Sequence, residues 1–319
     1  MLLILNEYKE EIIMEDKMIR LGGPIFKKVN NPEEAVKIHQ KLGFSAAYTS
    51  YIEDSAKREE YKQAFAEADI VLAEFGAYCI NIMDTDPEVR QKNIDEITRR
   101  LEKADKMGAR CCVMHGGSLE TAGWGKANPE NLSERTFIET VEIIQAIIDR
   151  VKPETTKLVM ETESYVYPDS PENYLRFINA IDREEFAVHL DPINIISNPR
   201  RFYFNDQFLR RCFAVLGKHI VSCHAKDVNM SPIHPTVKID ETFIGDGVVD
   251  YKVYLKEILK LDQMPTMMIE HLNASQLKKG LNFIYNKADE IGVQFLHSKD
   301  RDIEAVLEDN DEYFAPHEE

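Results

Sequence analysis

Short apolar segments alternate with longer, charged amphipathic segments about eight times along the chain. This alternation is typical of β-strand and α-helix units arranged around a parallel sheet. Most of the apolar segments lack an internal polar–apolar alternation, as expected of strands that are covered on both faces. The predicted strands are MIRLGG near Ile19, SAAYTSYI near Tyr48, AYCINIM near Ile80, RCCVMHGG near Val113, KLVMETE near Val159, FAVHLDP near Val188, IVSCHAKD near Ser222 and TMMIEHL near Met268.

Three of the segments between these strands carry signals for the ends of helices. A capping side chain followed by proline and an acidic residue predicts where a helix begins, and a glycine predicts where it ends. We therefore expect helices after the first, third and fifth strands. They begin at Asn31 with Pro32, at Asp86 with Pro87 and at Ser170 with Pro171, and the first two end at Gly43 and Gly108.

The length of the chain and this repeat together indicate the fold. The 319 residues, 44% of them hydrophobic, suffice for two ordinary domains or for one large α/β barrel. No linker rich in Pro, Gly or Ser divides the sequence, and no Gly-rich dinucleotide fingerprint follows the first strand, which argues against an open doubly wound sheet. We predict a (β/α)8 TIM barrel over residues 18–293, an N-terminal extension over 1–17, and an acidic C-terminal helix and tail over 294–319.

Charge and cysteine content narrow the partners and the compartment. Lys and Arg total 39 against 56 Asp and Glu, so the formal net charge is -17. A field of this sign repels nucleic acids and anionic membranes, and we expect neither as a partner. The five cysteines form no CxxC pair, and the apolar run from Leu2 to Leu5 is too short for a signal peptide. These features predict a cytoplasmic protein with reduced cysteines.

Four ionisable residues stand at the ends of the fifth to eighth predicted strands, where a TIM barrel carries its functional groups. They are Glu161, Asp191, His224 and Glu270. A structural salt bridge explains any one of them equally well, but three carboxylates and an imidazole at one barrel mouth require a cation. The sequence therefore predicts one divalent metal ion, with Mn²⁺ favoured and Mg²⁺, Co²⁺ or Zn²⁺ as alternatives.

The segments LVMETE, HLDPIN, HAKD, GDGVVDY and IEHL resemble, in order and position, those of the xylose isomerase-like barrels. That superfamily includes sugar isomerases, ketose 3-epimerases, inosose dehydratases and the endonuclease IV group. The resemblance implies that Glu161, Asp191, His224 and Glu270 bind the metal. It also implies that Glu161 and Glu270 act as an acid/base pair on a sugar, through an enediolate.

Further residues are candidates to contact the substrate or support the ligands, because of their positions in the predicted strands and loops. His115 and His189 are candidate substrate contacts, although either is explained equally by a structural histidine. Trp124, in the loop after the fourth strand, would stack on the apolar face of a sugar or pack within its loop. Lys226 and Asp227 would orient the ligands from behind, or form a buried ion pair with each other.

Two positions depart from the pattern of many ketose epimerases. Asn194 stands where those enzymes have a histidine, and Met230 stands where they have an arginine. Asn194 would therefore contact the substrate in its own way. The endonuclease IV group needs further histidines near Asn194 and after His224, and His234 in that loop has no Asp-x-His partner. A nucleic-acid substrate is therefore not expected.

These observations lead to one function and three alternatives. The leading hypothesis is a metal-dependent isomerase or epimerase of a small sugar, sugar acid or sugar phosphate that transfers a proton next to a carbonyl. An inosose-type dehydratase would use the same centre and expel a hydroxyl group. The remaining alternatives are an endonuclease IV-like repair enzyme and a catalytically silent barrel that binds a sugar or a protein. The expected partner is a small carbohydrate, and pairing into a homo-oligomer is open.

Overall fold

Eight parallel strands close into a barrel at the centre of the computed structural model, which describes residues 17–120, 123–233 and 236–307. The strands in chain order are β1 (Met18–Gly22), β2 (Ala46–Thr49), β3 (Val71–Ala77), β4 (Cys111–Met114), β5 (Lys157–Glu161), β6 (Phe186–Leu190), β7 (Ile220–Ala225), β8 (Asp227–Met230), β9 (Ile239–Thr242), β10 (Thr266–Ile269) and β11 (Gln294–Phe295). Strands β1 to β7 and β10 form the barrel, in that order. Pairing of Arg20 with Thr266 and of Gly22 with Met268 joins β1 to β10 and closes it. The predicted TIM barrel is confirmed.

Helices surround the barrel and connect its strands. They are α1 (Pro32–Leu42), α2 (Ser55–Glu67), α3 (Pro87–Met107), α4 (Glu134–Val151), α5 (Pro171–Ile181), α6 (Pro199–Tyr203), α7 (Asn205–Leu216), α8 (Tyr251–Leu259), α9 (Ala274–Asp289) and α10 (Ile303–Leu307). Short 3-10 helices lie at Pro129–Leu132, Gly217–His219 and Ser298–Asp300.

The three helix starts that the sequence predicts are confirmed. The side chain of Asn31 accepts a hydrogen bond from a main-chain amide in the first turn of α1, and Asp86 and Ser170 do the same for α3 and α5. The two predicted ends are also confirmed, since Gly43 and Gly108 follow α1 and α3 with φ of 77° and 70°. Residues with a side chain rarely adopt this backbone conformation, which explains the glycines.

The position predicted for the third strand is wrong. The sequence analysis placed it at AYCINIM near Ile80, but β3 is Val71–Ala77, and the chain after Ala77 is a loop. The loop is apolar because Ile80, Ile82 and Met83 are buried in it. Its interior is organised by Asn81, whose side chain bonds the main chain of Ser118 and Met83. Burial without strand structure therefore produced the misleading pattern.

The hydrophobic core has an outer and an inner part. The outer part lies between the strands and the helices and contains most of the buried apolar residues. The inner part fills the barrel with small and medium side chains, and its members are Cys111, Val113, Val159 and Ala187 in one cluster and Ala46, Ala73 and Met268 in another. Because the barrel interior is packed, only its mouth is available to bind a substrate.

Two additions extend the barrel. Strands β8 and β9 form an antiparallel hairpin directly after β7. Strand β11 pairs in parallel with the beginning of β1, and Ile303 and Val306 of α10 are buried beyond it. Residues 1–16 of the predicted N-terminal extension, 308–319 of the predicted tail, and His234 lie outside the described residues.

The described residues also show the state of the cysteines and whether any helix could span a membrane. All five cysteines are free, and four of them are buried while Cys79 is exposed. Among the helices that the structure describes, none is long and apolar enough to cross a membrane.

Candidate metal centre

The four predicted ligands lie at the ends of four neighbouring strands. Glu161 is the last residue of β5, Asp191 follows β6, His224 belongs to β7, and Glu270 follows β10. These strands are adjacent in the sheet and parallel, so their carboxyl ends meet at one mouth of the barrel. The structure therefore brings together all four residues that the sequence singled out.

The ring of His224 lies at the centre of this group. Its Nδ1 atom is 3.0 Å from Glu270 Oε2, 3.2 Å from Glu161 Oε1 and 3.5 Å from Asp191 Oδ2. The four potential donor atoms all lie within 4.8 Å of one another. Glu161, Asp191 and His224 are buried, and Glu270 is partly exposed.

Asp191 has one oxygen anchored and one oxygen available. Its Oδ1 accepts hydrogen bonds from the main-chain amides of Ile193 at 2.9 Å and Asn194 at 3.1 Å. Its main chain exchanges two further bonds with the hydroxyl of Thr162. The buried Oδ2 has no hydrogen-bond partner within the described part of the chain, and the same is true of Glu270 Oε2.

Tyrosine side chains hold the strand ends that carry these groups. The hydroxyl of Tyr254 on α8 donates to the carbonyl oxygen of His224 at 2.8 Å, and Tyr251 donates to that of Lys226 at 2.8 Å. Tyr48 on β2 donates to the carbonyl oxygen of Ile269 at 3.1 Å, immediately before the last ligand. The ligand backbone is therefore fixed by residues from other parts of the barrel.

Lys226 lies inside the group rather than behind it. Its Nζ atom is 2.6 Å from Glu270 Oε2 and 2.9 Å from Asp191 Oδ2, but without the alignment of a hydrogen bond. Burial alone would lower the pKa of Lys226, but Asp191, Glu270 and Glu161 raise it well above its usual value. The ammonium therefore stays charged beside the carboxylates. The predicted ion pair with Asp227 is not what forms.

The arrangement fits a divalent cation. Two ligands about 2.1 Å from a metal at adjacent octahedral positions lie about 3.0 Å apart, close to the distances around His224 Nδ1. The buried oxygens Asp191 Oδ2 and Glu270 Oε2 point into the group without hydrogen bonds among the described residues, and the single ammonium of Lys226 beside them offsets only part of the charge of three carboxylates. Three carboxylates and one imidazole are also the donor set of Mn²⁺, Mg²⁺ or Co²⁺ sites.

Glu74 on β3 is a buried acid that the sequence analysis missed. Its side chain is completely buried, with Oε1 3.0 Å from His189 Nε2 and Oε2 3.3 Å from His224 Nε2. Burial alone would raise the pKa of Glu74, but the two histidines outweigh it and hold the pKa below its usual value. The residue was missed because the third strand was placed after it. An acid within the apolar run IVLAEFGA is the signal that would have found it.

His189 lies on the inner side of His224. It is completely buried, its Nε2 lies 3.0 Å from Glu74 Oε1, and its ring meets that of His224 edge-on at 4.1 Å between centroids. This position gives His189 no open path to a substrate. A structural histidine, the alternative that the sequence left open, describes it better.

His115, Trp124 and Glu163 form one side of the mouth. The ring of Trp124 stacks on that of His115 at 3.8 Å between centroids, and His115 Nδ1 is 3.4 Å from Glu163 Oε1. Burial lowers the pKa of His115 to about 4 and raises the pKa of Glu163 to about 7. His115, Glu161 and Glu163 make a further set of clustered donors. The sequence analysis assigned no role to Glu163, which only the fold brings to this wall.

Asn194 uses both ends of its amide within the group. Its Nδ2 donates to Glu161 Oε1 at 3.0 Å, and its Oδ1 accepts from Lys226 Nζ at 3.3 Å. The residue was predicted to contact the substrate. In the structure it orients a predicted ligand and the neighbouring ammonium group.

Asp227 points away from the predicted ligands, into the loop before α8. Its carboxylate accepts hydrogen bonds from four main-chain amides at 3.0 to 3.2 Å. The donors are Val228, Gly245, Gly247 and Val249. A β-carbon on Gly247 would collide with this carboxylate. Asp227 therefore orders the loop, and the prediction that it orients the ligands is not what its contacts show.

The β8–β9 hairpin reaches the mouth through Glu241. Its carboxylate accepts a hydrogen bond from His271 Nδ1 at 2.9 Å, and the Nε2 atom of this histidine is 3.7 Å from Glu270 Oε1. His271 has a φ of 54°, a conformation that non-glycine residues seldom adopt. Glu241 was not predicted because the hairpin was not, and His271, which directly follows Glu270 in the chain, was given no role from the sequence.

A family comparison agrees with the fold. The model of the xylose isomerase-like TIM barrel family matches residues 36–287. The chain belongs to this family. No curated protein matches the chain in a sequence comparison.

Solved structures of several enzyme classes share the fold of this xylose isomerase-like barrel. The 3-keto-D-glucoside 4-epimerase YcjR of E. coli is 15% identical in sequence and has a TM-score of 0.61. The alignment includes 86% of this chain and 100% of the epimerase chain. The probable 3-DHS dehydratase AsbF of Bacillus anthracis is 14% identical, with a TM-score of 0.63, and the alignment includes 84% of this chain and 99% of the dehydratase chain. Endonuclease IV of Thermus thermophilus is 12% identical over 85% and 99%, with a TM-score of 0.62. At identities this low, the similarity establishes the fold but not the activity, which has to be inferred from the residues of the site.

Proposed function

We propose that this protein is a divalent-metal-dependent isomerase or epimerase of a small sugar, sugar acid or sugar phosphate. The observation that carries the proposal is the convergence of Glu161, Asp191, His224 and Glu270, with two buried oxygens that lack hydrogen bonds within the described residues. The similarity in fold to a sugar epimerase supports the choice of substrate class. The net charge of -17 favours a small carbohydrate over a nucleic acid.

The side chains of the centre have distinct roles in this reaction. When bound, a divalent cation supplies Lewis-acid polarisation of a carbonyl and its neighbouring hydroxyl group. Glu161 and Glu270 approach the centre from β5 and β10, and each has a second oxygen that can take or return a proton at carbon. The ammonium of Lys226, 2.6 Å from Glu270, keeps that carboxylate ionised and ready to act as a base.

The wall formed by His115 and Trp124 would bind the sugar. An indole that already stacks on an imidazole offers its outer face to an apolar ring face, and the half-buried position of Trp124 leaves that face accessible. His115 packs beneath this indole, and its buried Nδ1 has no hydrogen-bond partner among the described residues, so a substrate hydroxyl group would bond to it only where Trp124 moves aside.

Metal content tests the first half of the proposal. We expect about one metal ion per chain in the wild type after metal-free dialysis and back-titration with Mn²⁺, Co²⁺ or Zn²⁺, and none in Asp191→Ala. The matched control is Asp262→Ala, which removes an exposed acid elsewhere on the surface. Absence of stoichiometric metal from the wild type would overturn the proposal.

Solvent isotope uptake tests the second half. In ²H₂O, the metal-loaded protein should incorporate deuterium at the carbon next to the carbonyl of a ketose substrate, and Glu270→Gln should slow this uptake by about 100-fold or more. Uptake that is unchanged in Glu270→Gln would contradict the acid/base assignment.

A dehydratase is the second candidate. It would use the same metal centre, and Asn194 and Met230, which stand where many ketose epimerases have a histidine and an arginine, indicate that the substrate contacts differ from those of these epimerases. Product mass separates the two activities, because a dehydratase product is lighter than its substrate by one water and an epimerase product has the same mass.

A further inference from the structure

We propose that Glu74 is a positioning residue that keeps the Nδ1 atom of His224 available to the metal by accepting a hydrogen bond from Nε2. The inference rests on the proposed function, since it concerns the same centre. It adds a residue from β3, a strand that contributes none of the four predicted ligands.

Glu74 is a buried carboxylate, and such a group needs hydrogen-bond donors around it. The side chain is completely enclosed in the barrel interior, and it has no lysine or arginine as an ion-pair partner within the described residues. A carboxylate in such a place is destabilising unless several donors surround it. Four donors do so here, namely His189 Nε2 at 3.0 Å, His224 Nε2 at 3.3 Å, Tyr78 Oη at 3.3 Å and Ser222 Oγ.

These donors fix the carboxylate in one orientation. Oε1 receives His189 and Ser222, while Oε2 receives His224 and Tyr78. Rotation of the carboxylate would therefore break bonds at both oxygens. The oxygen that faces His224 is held in place before any metal arrives.

The ring of His224 lies between Glu74 and the predicted ligands. Its Nε2 faces Glu74, and its Nδ1 faces Glu161, Asp191 and Glu270 at 3.0 to 3.5 Å. A neutral imidazole carries one proton, and a metal binds only the nitrogen without it. Carboxylates face both nitrogens, and an ionised carboxylate can only accept. A divalent ion among Glu161, Asp191 and Glu270 would take the place of the proton on Nδ1, while Glu74, which lies outside that group, would retain the proton on Nε2.

Glu74→Gln, made in the full-length chain, tests this role. Glutamine keeps the shape of the side chain but carries no charge and has one acceptor oxygen in place of two, so any hydrogen bond that it accepts from His224 Nε2 is neutral and weaker than the bond to a carboxylate. We expect Co²⁺, titrated into the metal-free variant, to bind about 10- to 100-fold more weakly than to the wild type. Glu257→Gln is the matched control, since Glu257 is a buried glutamate of α8 that pairs with Arg210, and its Co²⁺ affinity should not change.

The position of the proton on the His224 ring is a second, independent measurement. In ¹⁵N NMR spectra of the labelled, Zn²⁺-loaded wild type, the imidazole signals of His224 are those that disappear in His224→Gln. They should show a proton on Nε2 and none on Nδ1. This measurement does not depend on the variant at Glu74 folding. A His224 with its proton on Nδ1, or a folded Glu74→Gln that binds Co²⁺ with wild-type affinity, would overturn the inference and leave the metal centre standing. A wild type that binds no Co²⁺ at all would instead overturn the proposed function, and the inference with it.

Discussion

Three of the four predicted ligands are held by a second contact. The main-chain amides of Ile193 and Asn194 hold one oxygen of Asp191, and the side chain of Asn194 holds Glu161. Glu74 faces the inner nitrogen of His224. Such support fixes side-chain rotamers before a ligand binds, which lowers the entropy lost on binding.

Lys226 competes with a metal for two of the same oxygens. Replacement by Lys226→Gln should raise the affinity for Mn²⁺ about tenfold, because no ammonium then neutralises Asp191 and Glu270. The metal-free variant should also unfold at a lower temperature than the wild type, since its carboxylates repel one another. Calorimetric titration and thermal unfolding measure the two effects, with the exposed Lys238→Gln as control. Weaker Mn²⁺ binding in Lys226→Gln would contradict this competition.

Asp227 stabilises a loop and not the ligands, and a substitution separates the two roles. Asp227→Ala leaves the amides of Val228, Gly245, Gly247 and Val249 without their acceptor, so we expect a loss of at least about 3 kcal/mol in the free energy of unfolding. Denaturant titration measures this loss. The folded variant should still bind one metal per chain, and loss of metal with unchanged stability would show that the assignment is wrong.

At the scale of elements, local signals predicted the helices better than the strands. The caps of α1, α3 and α5 depend on residues within one turn, so the sequence alone contains them. The loop over Ile80 and Ile82 is as apolar as a strand, and no local rule distinguishes the two. Asn81 bonds the buried main chain there, which lets a loop occupy a position that usually needs a sheet.

The packing of α1 predicts a pH dependence of stability. His39 is buried against Phe44 and Phe65, and burial lowers its pKa to about 4, although its hydrogen bond to the carbonyl of Ala35 acts in the opposite direction. Its folded pKa lies below the unfolded value of about 6.5, so the unfolded chain binds more protons between these values. Stability from this group is complete above about pH 6.5 and is lost as the pH falls towards 4, by up to about 3 kcal/mol.

Urea titrations of His39→Leu between pH 4 and 7 test this dependence. The variant should lose less stability than the wild type as the pH falls. Phe65→Leu is the control, because it weakens the same contact without removing the titrating ring, and its stability should differ from that of the wild type equally at every pH. A His39→Leu variant with the pH dependence of the wild type would contradict the prediction.

At the scale of the whole molecule, the centre exists only when the barrel is closed. Glu74 and His224 are 150 residues apart in the chain and meet across the barrel interior. A ligand that binds only the folded state stabilises it by mass action. Metal at about 100 times its dissociation constant should therefore add about 2.7 kcal/mol and raise the thermal midpoint by roughly 5 °C.

Differential scanning calorimetry with and without Mn²⁺ measures this shift. Asp191→Ala should show no shift at the same metal concentration, while Asp262→Ala should respond like the wild type. An equal shift in Asp191→Ala would mean that the metal binds elsewhere. The predicted cytoplasmic location and the oligomeric state, which the sequence left open, need measurements of their own.

Local patterns in the sequence were enough to predict several parts of this protein. The alternation of apolar and charged segments predicted the barrel, short capping motifs predicted three helices, and the acids and the histidine at strand ends predicted where the candidate ligands lie. These inferences hold because parallel strands of a barrel all end at the same mouth, so a position within a strand already specifies a place in the molecule.

Which side chains face one another is seen only in the folded barrel. Glu74 meets His224, Lys226 enters the ligand group, and Asp227 turns into a loop, although the last two are adjacent in the chain. Their directions depend on the register between strands and on packing across the barrel, which are long-range interactions. Such interactions leave no periodic trace in the sequence, because they join residues that only the closed fold brings within hydrogen-bonding distance.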